Sequence, residues 1–558
     1  MAKTNTIKNN NYSATTDLFG KFENWADKNN NMLLYVFLGL SLLFSFLLFN
    51  ARISEAHDDA LYLEGAWRYV NEFPKYFYIQ NAPLYVMFLA ILTKIFGFKL
   101  LIFKLFNVLF NFLAVFLFFK GFKKRIPYAV LVPLLAFVSC NYLIQYYASM
   151  TFTEAFYLFL LSVFFFYFFK LNDAIETEQN PVKLWKQWLG IGLLALLVST
   201  TKSAGIVVVP SLLVYFIFIK QYKHAVASII SYGAFKLMYE LIVRLIWGSQ
   251  NQFSAQSKIL LQKDPYDASL GNEDLSGFIT RVIDNCNLYF SKRFFQILGF
   301  RDEMSVEVYG LLALLVIIAF AVGTFITIKN NQKALFFFAI FTTAQLLLSF
   351  IILAARWDQA RIVMICMPIM LVIILGLLYN YTKKSGMGQN IYFAIVLIVC
   401  VSMLMSSFKR GSKNLPIVQK NLKGDLYFGY TPDWQNFLKC SRWCADSLPS
   451  NSFVASRKAP MSFVYANGKK FFPVYSVIKK DSLTQQSNPD SALAYFNANG
   501  VTHIMVGSLR INPVQNTGQI INTVHNIVQP IMTKYPNKLK LIHTEGLSEE
   551  TYLFEITK

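Results

Sequence analysis

The chain has 558 residues, 55% hydrophobic and 16% aromatic, with 54 phenylalanines. That much apolar surface excludes an ordinary water-soluble globular protein. The formal net charge of +21 does not point to a nucleic-acid partner, because the bases are scattered at the ends of apolar runs, where they suit cytoplasmic loops and anionic headgroups, instead of clustering on a soluble face.

Residues 1–31 are polar and read as a cytoplasmic N-terminal tail. The apolar run after them is longer than the core of a signal peptide. Apolar stretches predict about eleven transmembrane helices, at 32–50, 99–119, 126–144, 153–169, 187–200, 203–219, 224–247, 309–328, 334–353, 362–380 and 390–407. Together they make 32–407 a multi-spanning α-helical membrane domain. Lys120, Lys123, Lys124 and Arg125 form one basic cluster; Lys220 with Lys223, Lys329 with Lys333, and Lys383 with Lys384 form others. All fall on one side if the N-terminus is cytoplasmic. The loops 51–98 and 248–308 then lie outside, and each carries more acid than base.

Residues 83–97 are apolar, but at about 15 residues they are short for a span. Spanning would also push the 120–125 cluster outward. They read as an interfacial or re-entrant helix on the outer face. From 408 the composition becomes that of a soluble domain. Residues 453–455, 502–506 and 552–556 read as strands, and 492–499 and 518–535 as helices, giving an extracytoplasmic α/β domain over 408–558. Cys140, Cys366 and Cys400 read as buried fillers, and Cys440 and Cys444, four apart in a helix, as free thiols. No internal repeat or pair of broken helices suggests a transporter.

The acid pair Asp58-Asp59 follows the first span. On a helix the two point about 100° apart. One can face a membrane-side cavity as a general base or a group orienting a hydroxyl, while the other caps or bonds backbone. An ordinary helix-start role for both is the alternative. Lys202 lies in Thr201-Lys202-Ser203-Ala204-Gly205, between two short apolar runs. It is either a phosphate partner near the membrane surface or a snorkelling surface lysine. Arg356, Asp358 and Arg361 share a short outer loop. The guanidinium groups either hold a lipid phosphate or pair internally with Asp358. Lys236, Glu240 and Arg244 share one helix face and read as mutually neutralising. Glu154 starts a span from outside, as a cap or as part of the cavity wall. His57 is a loop histidine or a metal ligand. A divalent ion on Asp58 or Asp59 with Glu64 is the one metal site that the carboxylates suggest.

These motifs resemble the membrane-embedded glycosyltransferases of the GT-C fold, in particular the protein O-mannosyltransferases and the aminoarabinose transferases that modify lipid A. Asp58-Asp59-Ala60-Leu61-Tyr62 is similar to that group's Asp-[Asp/Glu]-x-x-Tyr pattern. Asn81-Ala82-Pro83-Leu84 with Phe96-Gly97 is similar to its His- or Lys-Pro-Pro-Leu element and juxtamembrane helix, with Asn81 and Ala82 standing where the group has a base and a first proline. The Thr201–Gly205 turn and Arg361 followed by Pro368 match two further elements. The resemblance implies a polyprenyl-phosphate-sugar donor and inverting transfer on the outer face, with no cofactor required. Asp58 would activate the acceptor, Asp59 would position it or the loop, and Lys202, Arg356 and Arg361 would stabilise the leaving phosphate. His57, Tyr62, Asn81 and Glu154 would line the cavity. The acceptor would be lipid A, a glycan or a protein, and the setting a bacterial inner membrane, with membrane lipids as surroundings. The competing readings are a flippase for a lipid-linked saccharide and a non-catalytic assembly protein.

Overall fold

The computed structural model describes residues 17–56, 58–248, 260–264, 270–302, 305–354, 357–481, 483–514 and 517–557. Among the described residues, seven helices are long and apolar enough to cross a membrane: Asn30–Leu47, Leu100–Phe122, Glu154–Thr177, Tyr222–Trp247, Gly310–Lys329, Lys333–Ile352 and Gly386–Leu422. An eighth span arises if Tyr128–Cys140 and Tyr142–Ala148, bent by 48°, are taken together. The bend sits at Asn141, whose extended backbone ends the first helix and whose side chain caps the second by accepting from Leu143 N and Ile144 N. The other three stretches read as spans form shorter helices, Trp185–Thr201, Val208–Phe218 and Met367–Thr382. Apolar side chains such as Leu237, Leu245, Leu311 and Leu397 face outward, a surface suited to lipid and not to water. The protein is an integral membrane protein.

Aromatic packing fills the bundle. Phe165 and Phe168 meet Phe338 and Phe337 with ring centroids 4.3 Å and 4.1 Å apart. Small residues permit the closest helix crossings, as is usual where lipid offers no hydrophobic drive. A Cβ on Gly192 would stand 2.6 Å from the Ser231 carbonyl, across the contact between Trp185–Thr201 and Tyr222–Trp247. Gly192→Leu is therefore expected to lower stability by about 1–3 kcal/mol, seen as a lower thermal midpoint in detergent, with Gly39→Leu as the control because nothing lies within 4 Å of a Cβ there.

The two ends of the bundle differ. At one end Lys123 Nζ donates to Asn30 Oδ1, Arg125 pairs with Asp173, and the Glu23 carboxylate accepts from Tyr128 N and Ala129 N. That glutamate lies on Leu18–Lys28, so part of the segment read as a tail is a helix docked on the bundle. The other end carries the acid pair, in the first turn of Asp58–Asn71. This helix packs against Leu84–Phe96, the helix read as interfacial. Gly97, at φ +76°, ends that helix. Gly65 allows the two to close: a Cβ there would meet Val86 at 2.9 Å.

Gly386–Leu422 is continuous well past residue 407. Beyond it lies a five-stranded sheet ordered β2-β1-β3-β7-β6, with β1 Val454–Ser456, β2 Phe471–Pro473, β3 His503–Val506, β6 Leu539–Glu545 and β7 Thr551–Ile556. β1 runs parallel to β2 and β3, and β7 antiparallel to β3 and β6. The stretch 518–535 is helical only over His525–Lys534; its start belongs to β5, Thr517–Ile520, paired with β4, Arg510–Val514. Gly518 at φ +112° cannot continue a right-handed helix. All six cysteines are free, with Cys440 and Cys444 buried.

Candidate active site at one end of the bundle

Glu154 begins its span at 2% side-chain exposure. A buried carboxylate must be paired. Lys202 Nζ donates to Glu154 Oε1 at 2.9 Å, and Arg361 Nε stands 3.9 Å from the same oxygen. Arg361 Nη2 donates to Asp58 Oδ2 at 2.7 Å. Four residues read separately from the sequence thus form one chain, Lys202–Glu154–Arg361–Asp58, with two charges of each sign. The side chain of Asp58 is the most open of the four, at 35%.

Local sequence explains the delivery of each group. Thr200 and Thr201 hydroxyls bond back to the Leu196 and Leu197 carbonyls, which weakens the helix end. Lys202 is then extended, and Gly205 folds the turn back so closely that a Cβ would lie 2.6 Å from Val198 O. Arg361 follows a turn in which Asp358 has φ +39°, a conformation Asp tolerates better than most residues. Asp358 is held by Lys292 at 2.6 Å and Arg293 at 2.5 Å. Among the described residues the cations on Asp358 are thus Lys292 and Arg293, while Arg361 of its own loop pairs with Asp58. Gln359 Oε1 accepts from Arg361 Nε at 2.8 Å, and the Arg361 guanidinium lies 5.0 Å from the Phe152 ring centroid.

Asp59 turns away from this chain. It is fully buried, and its oxygens accept from Ser54 N at 2.9 Å and Ala60 N at 3.1 Å. Burial raises its carboxyl to about 6, against the opposing field of Lys104. Since the folded value lies above the ordinary one near 3.8, the stability this group contributes is present below that ordinary value and is lost as pH rises through about 6. Asp59→Asn should flatten this part of the thermal midpoint against pH curve between pH 4 and 7, measured by scanning calorimetry.

Tyr62 accepts from Asn81 Nδ2 at 3.1 Å. Burial first, and the Asp58 charge second, push its phenol well above the ordinary value, so it stays neutral. Asn81 Oδ1 is shielded from solvent without a hydrogen-bond partner among the described residues. His57 and Arg356 lie outside the described residues. Glu64 does not join the acid pair; it lies in the field of Arg68, Glu72 and Lys470. Among the described residues no three His, Cys, Asp or Glu side chains group as metal ligands. Asp58 pairs with Arg361, and Glu154 with Lys202. Lys236 pairs with Glu240 at 2.5 Å, as its spacing suggests.

Two cations went unnoticed in the sequence. Lys104 is fully buried and donates to Arg52 O at 2.9 Å and Ser149 O at 3.1 Å; an ionisable residue inside an apolar run was the signal for it. Lys458, from the sheet-containing domain, donates to Glu55 O at 2.8 Å, and nothing local in the sequence marks it.

No family model and no curated protein matches the chain. Solved structures do. Archaeal oligosaccharyltransferase AglB from Archaeoglobus fulgidus, in complex with an inhibitory peptide and a dolichol-phosphate, is 10% identical at a TM-score of 0.54, over 86% of this chain and 70% of that one. The Archaeoglobus fulgidus oligosaccharyltransferase complexed with zinc and sulfate is 12% identical at 0.56, over 85% and 68%. ArnT from Cupriavidus metallidurans, bound to undecaprenyl phosphate, is 9% identical at 0.54, over 93% and 97%. The chain has the GT-C fold shared by these membrane glycosyltransferases, with a sheet-containing domain after its last span.

Proposed function

We propose that the chain transfers a sugar from a polyprenyl-phosphate-linked donor to an acceptor on the outer face of a membrane, with inversion at the anomeric carbon. The observation that carries this reading is the chain Lys202–Glu154–Arg361–Asp58. It joins a partly open carboxylate to two cations, through a buried glutamate that gathers them from different elements. The dolichol-phosphate and undecaprenyl phosphate of the similar structures support a lipid phosphate as the ligand of those cations.

In this scheme Asp58 takes the proton of the acceptor hydroxyl. The hydroxyl oxygen forms the new bond to C1 while the bond from C1 to the phosphate oxygen breaks. The electron pair leaves with the polyprenyl phosphate, whose growing negative charge Arg361 and Lys202 stabilise. Arg361 keeps donors beyond the one given to Asp58, and Lys202 keeps two beyond the one given to Glu154. Arg356 would add to the phosphate side. Tyr62 and Asn81, beside Asp58, would contact the sugar or the acceptor. Residues 1–31 would be cytoplasmic, 32–407 catalytic, and 408–558 extracytoplasmic; the basic end of the bundle supports that orientation, as in a bacterial inner membrane.

The test is transfer by the purified chain in lipid, with a panel of labelled polyprenyl-phosphate sugars and a membrane extract as the acceptor pool. Label in a new glycosidic product is the expected result. Movement of the saccharide across vesicles without any new bond would replace the transferase reading with a flippase.

A further inference from the structure

Between the first span and the acid pair, residues 48–56 have no regular structure, so their backbone carbonyls need partners from elsewhere. Among the described residues, five of these carbonyls and that of Leu47, which ends the span, find side chains. Leu48 O and Arg52 O accept from Ser149 Oγ and Lys104 Nζ of the membrane bundle. The other four are taken by residues beyond 407. Asn414 Nδ2 donates to Leu47 O at 3.2 Å and Phe49 O at 2.7 Å, Tyr430 Oη to Ile53 O at 2.5 Å, and Lys458 Nζ to Glu55 O at 2.8 Å. Tyr430 is fixed in turn by Tyr465 Oη at 2.9 Å and by the Arg52 guanidinium, 4.6 Å from its ring centroid.

The segment ends on Asp59, whose carboxylate takes Ser54 N. Asp58, the next residue back, therefore stands at the end of a strap clamped on one side by the outer domain. The helix Ala459–Tyr465 reinforces this clamp: it packs on Asp58–Asn71, with Phe463 against Trp67 at 5.3 Å between ring centroids, and Lys470 pairs with Glu72 at 2.5 Å.

We infer that the outer domain is a working part of the active site, and that Lys458 and Tyr430 are positioning residues that hold the 50–56 strap and so fix where Asp58 meets the acceptor. This rests on the transferase reading for its effect on rate. Lys458 is suited to the task. It is buried, it donates to a strap carbonyl, and it has no carboxylate within ion-pair distance among the described residues. Its ammonium faces Asp58, Asp59 and Glu55, with Arg457 beside it in sequence and Asp433 on the packed helix Pro432–Ser447. A displacement of about 1 Å in a reacting group costs about 10²-fold in rate, so loosening the strap should slow transfer without weakening donor binding.

The test uses the full chain in lipid nanodiscs and compares Lys458→Met, Lys458→Arg and Tyr430→Phe with wild type. Lys458→Met is expected to lower kcat by about 10²-fold with the donor KM unchanged, and to speed hydrogen exchange in peptides covering 50–56. Burial holds Lys458 down at about 8, so wild-type kcat should fall as pH rises above 8. Lys458→Arg, which stays charged, should keep most of the rate and lose that alkaline limb. Tyr430→Phe removes one hydroxyl and carries the same exchange readout if Lys458→Met does not fold. Wild-type kcat together with wild-type exchange in Lys458→Met, or in Tyr430→Phe in its place, would overturn the positioning role. A raised donor KM at unchanged kcat would overturn it too, making Lys458 a donor contact. If wild type transfers nothing, the transferase reading fails alone, and the exchange data still decide whether the outer domain holds the strap.

Discussion

Asp58→Asn is expected to lower kcat by about 10²–10⁴-fold, the usual contribution of a positioned general base, while polyprenyl phosphate binding changes little. The substitution separates the two readings of this residue. Asp58 is the first residue of Asp58–Asn71, so a role limited to starting the helix is a serious competitor. Asn serves a helix start about as well as Asp. A cap would leave rate and thermal midpoint near wild type. A base would lose the rate and keep the fold, because asparagine can still accept from Arg361 but cannot take a proton at neutral pH. Single-turnover transfer with saturating donor, alongside a thermal melt, makes the distinction. Wild-type kcat in Asp58→Asn would remove this residue from the mechanism.

Arg361→Lys should cost about 10²–10³ in kcat/KM, comparable to removing one preorganised donor from a developing anion. Charge is preserved, so the effect isolates geometry. A guanidinium reaches Asp58 at 2.7 Å, Gln359 at 2.8 Å and the vicinity of Glu154 at 3.9 Å at once. An ammonium on a flexible stem cannot reproduce that fork. Glu154 keeps Lys202 as its partner, so the fold should survive. The measurement is kcat and KM with the donor varied, together with equilibrium binding of polyprenyl phosphate. A variant with wild-type kinetics would show that the arginine only neutralises buried acids.

The resemblance to the GT-C group was legible because several weak motifs occur in order. Each has a local cause. The acid pair opens a helix, Gly97 closes one, and Gly205 lets the Lys202 turn fold back on its helix. Apolar runs announced helices for the same reason: hydropathy is local, and lipid demands it along each span. The helical reading from 518 failed at its start, because Gly518 takes a positive φ and Thr517–Ile520 pairs as a strand with Arg510–Val514.

By itself, then, the sequence determined the membrane character, the helices, the C-terminal sheet-containing domain and the identities of Asp58, Glu154, Lys202 and Arg361 as candidates. It left Asp58 and Asp59 with interchangeable roles, and Glu154 as either a cap or part of the wall. Only the tertiary structure divided the acids, turning Asp59 inward to backbone amides and Asp58 outward to Arg361. It alone made Glu154 the hub of the cations. It alone brought Lys458 to Glu55, across 403 residues of chain. The physical reason is that a charge's role is set by which opposite charges, dipoles and desolvating walls surround it, and those neighbours come from elements far apart in the chain.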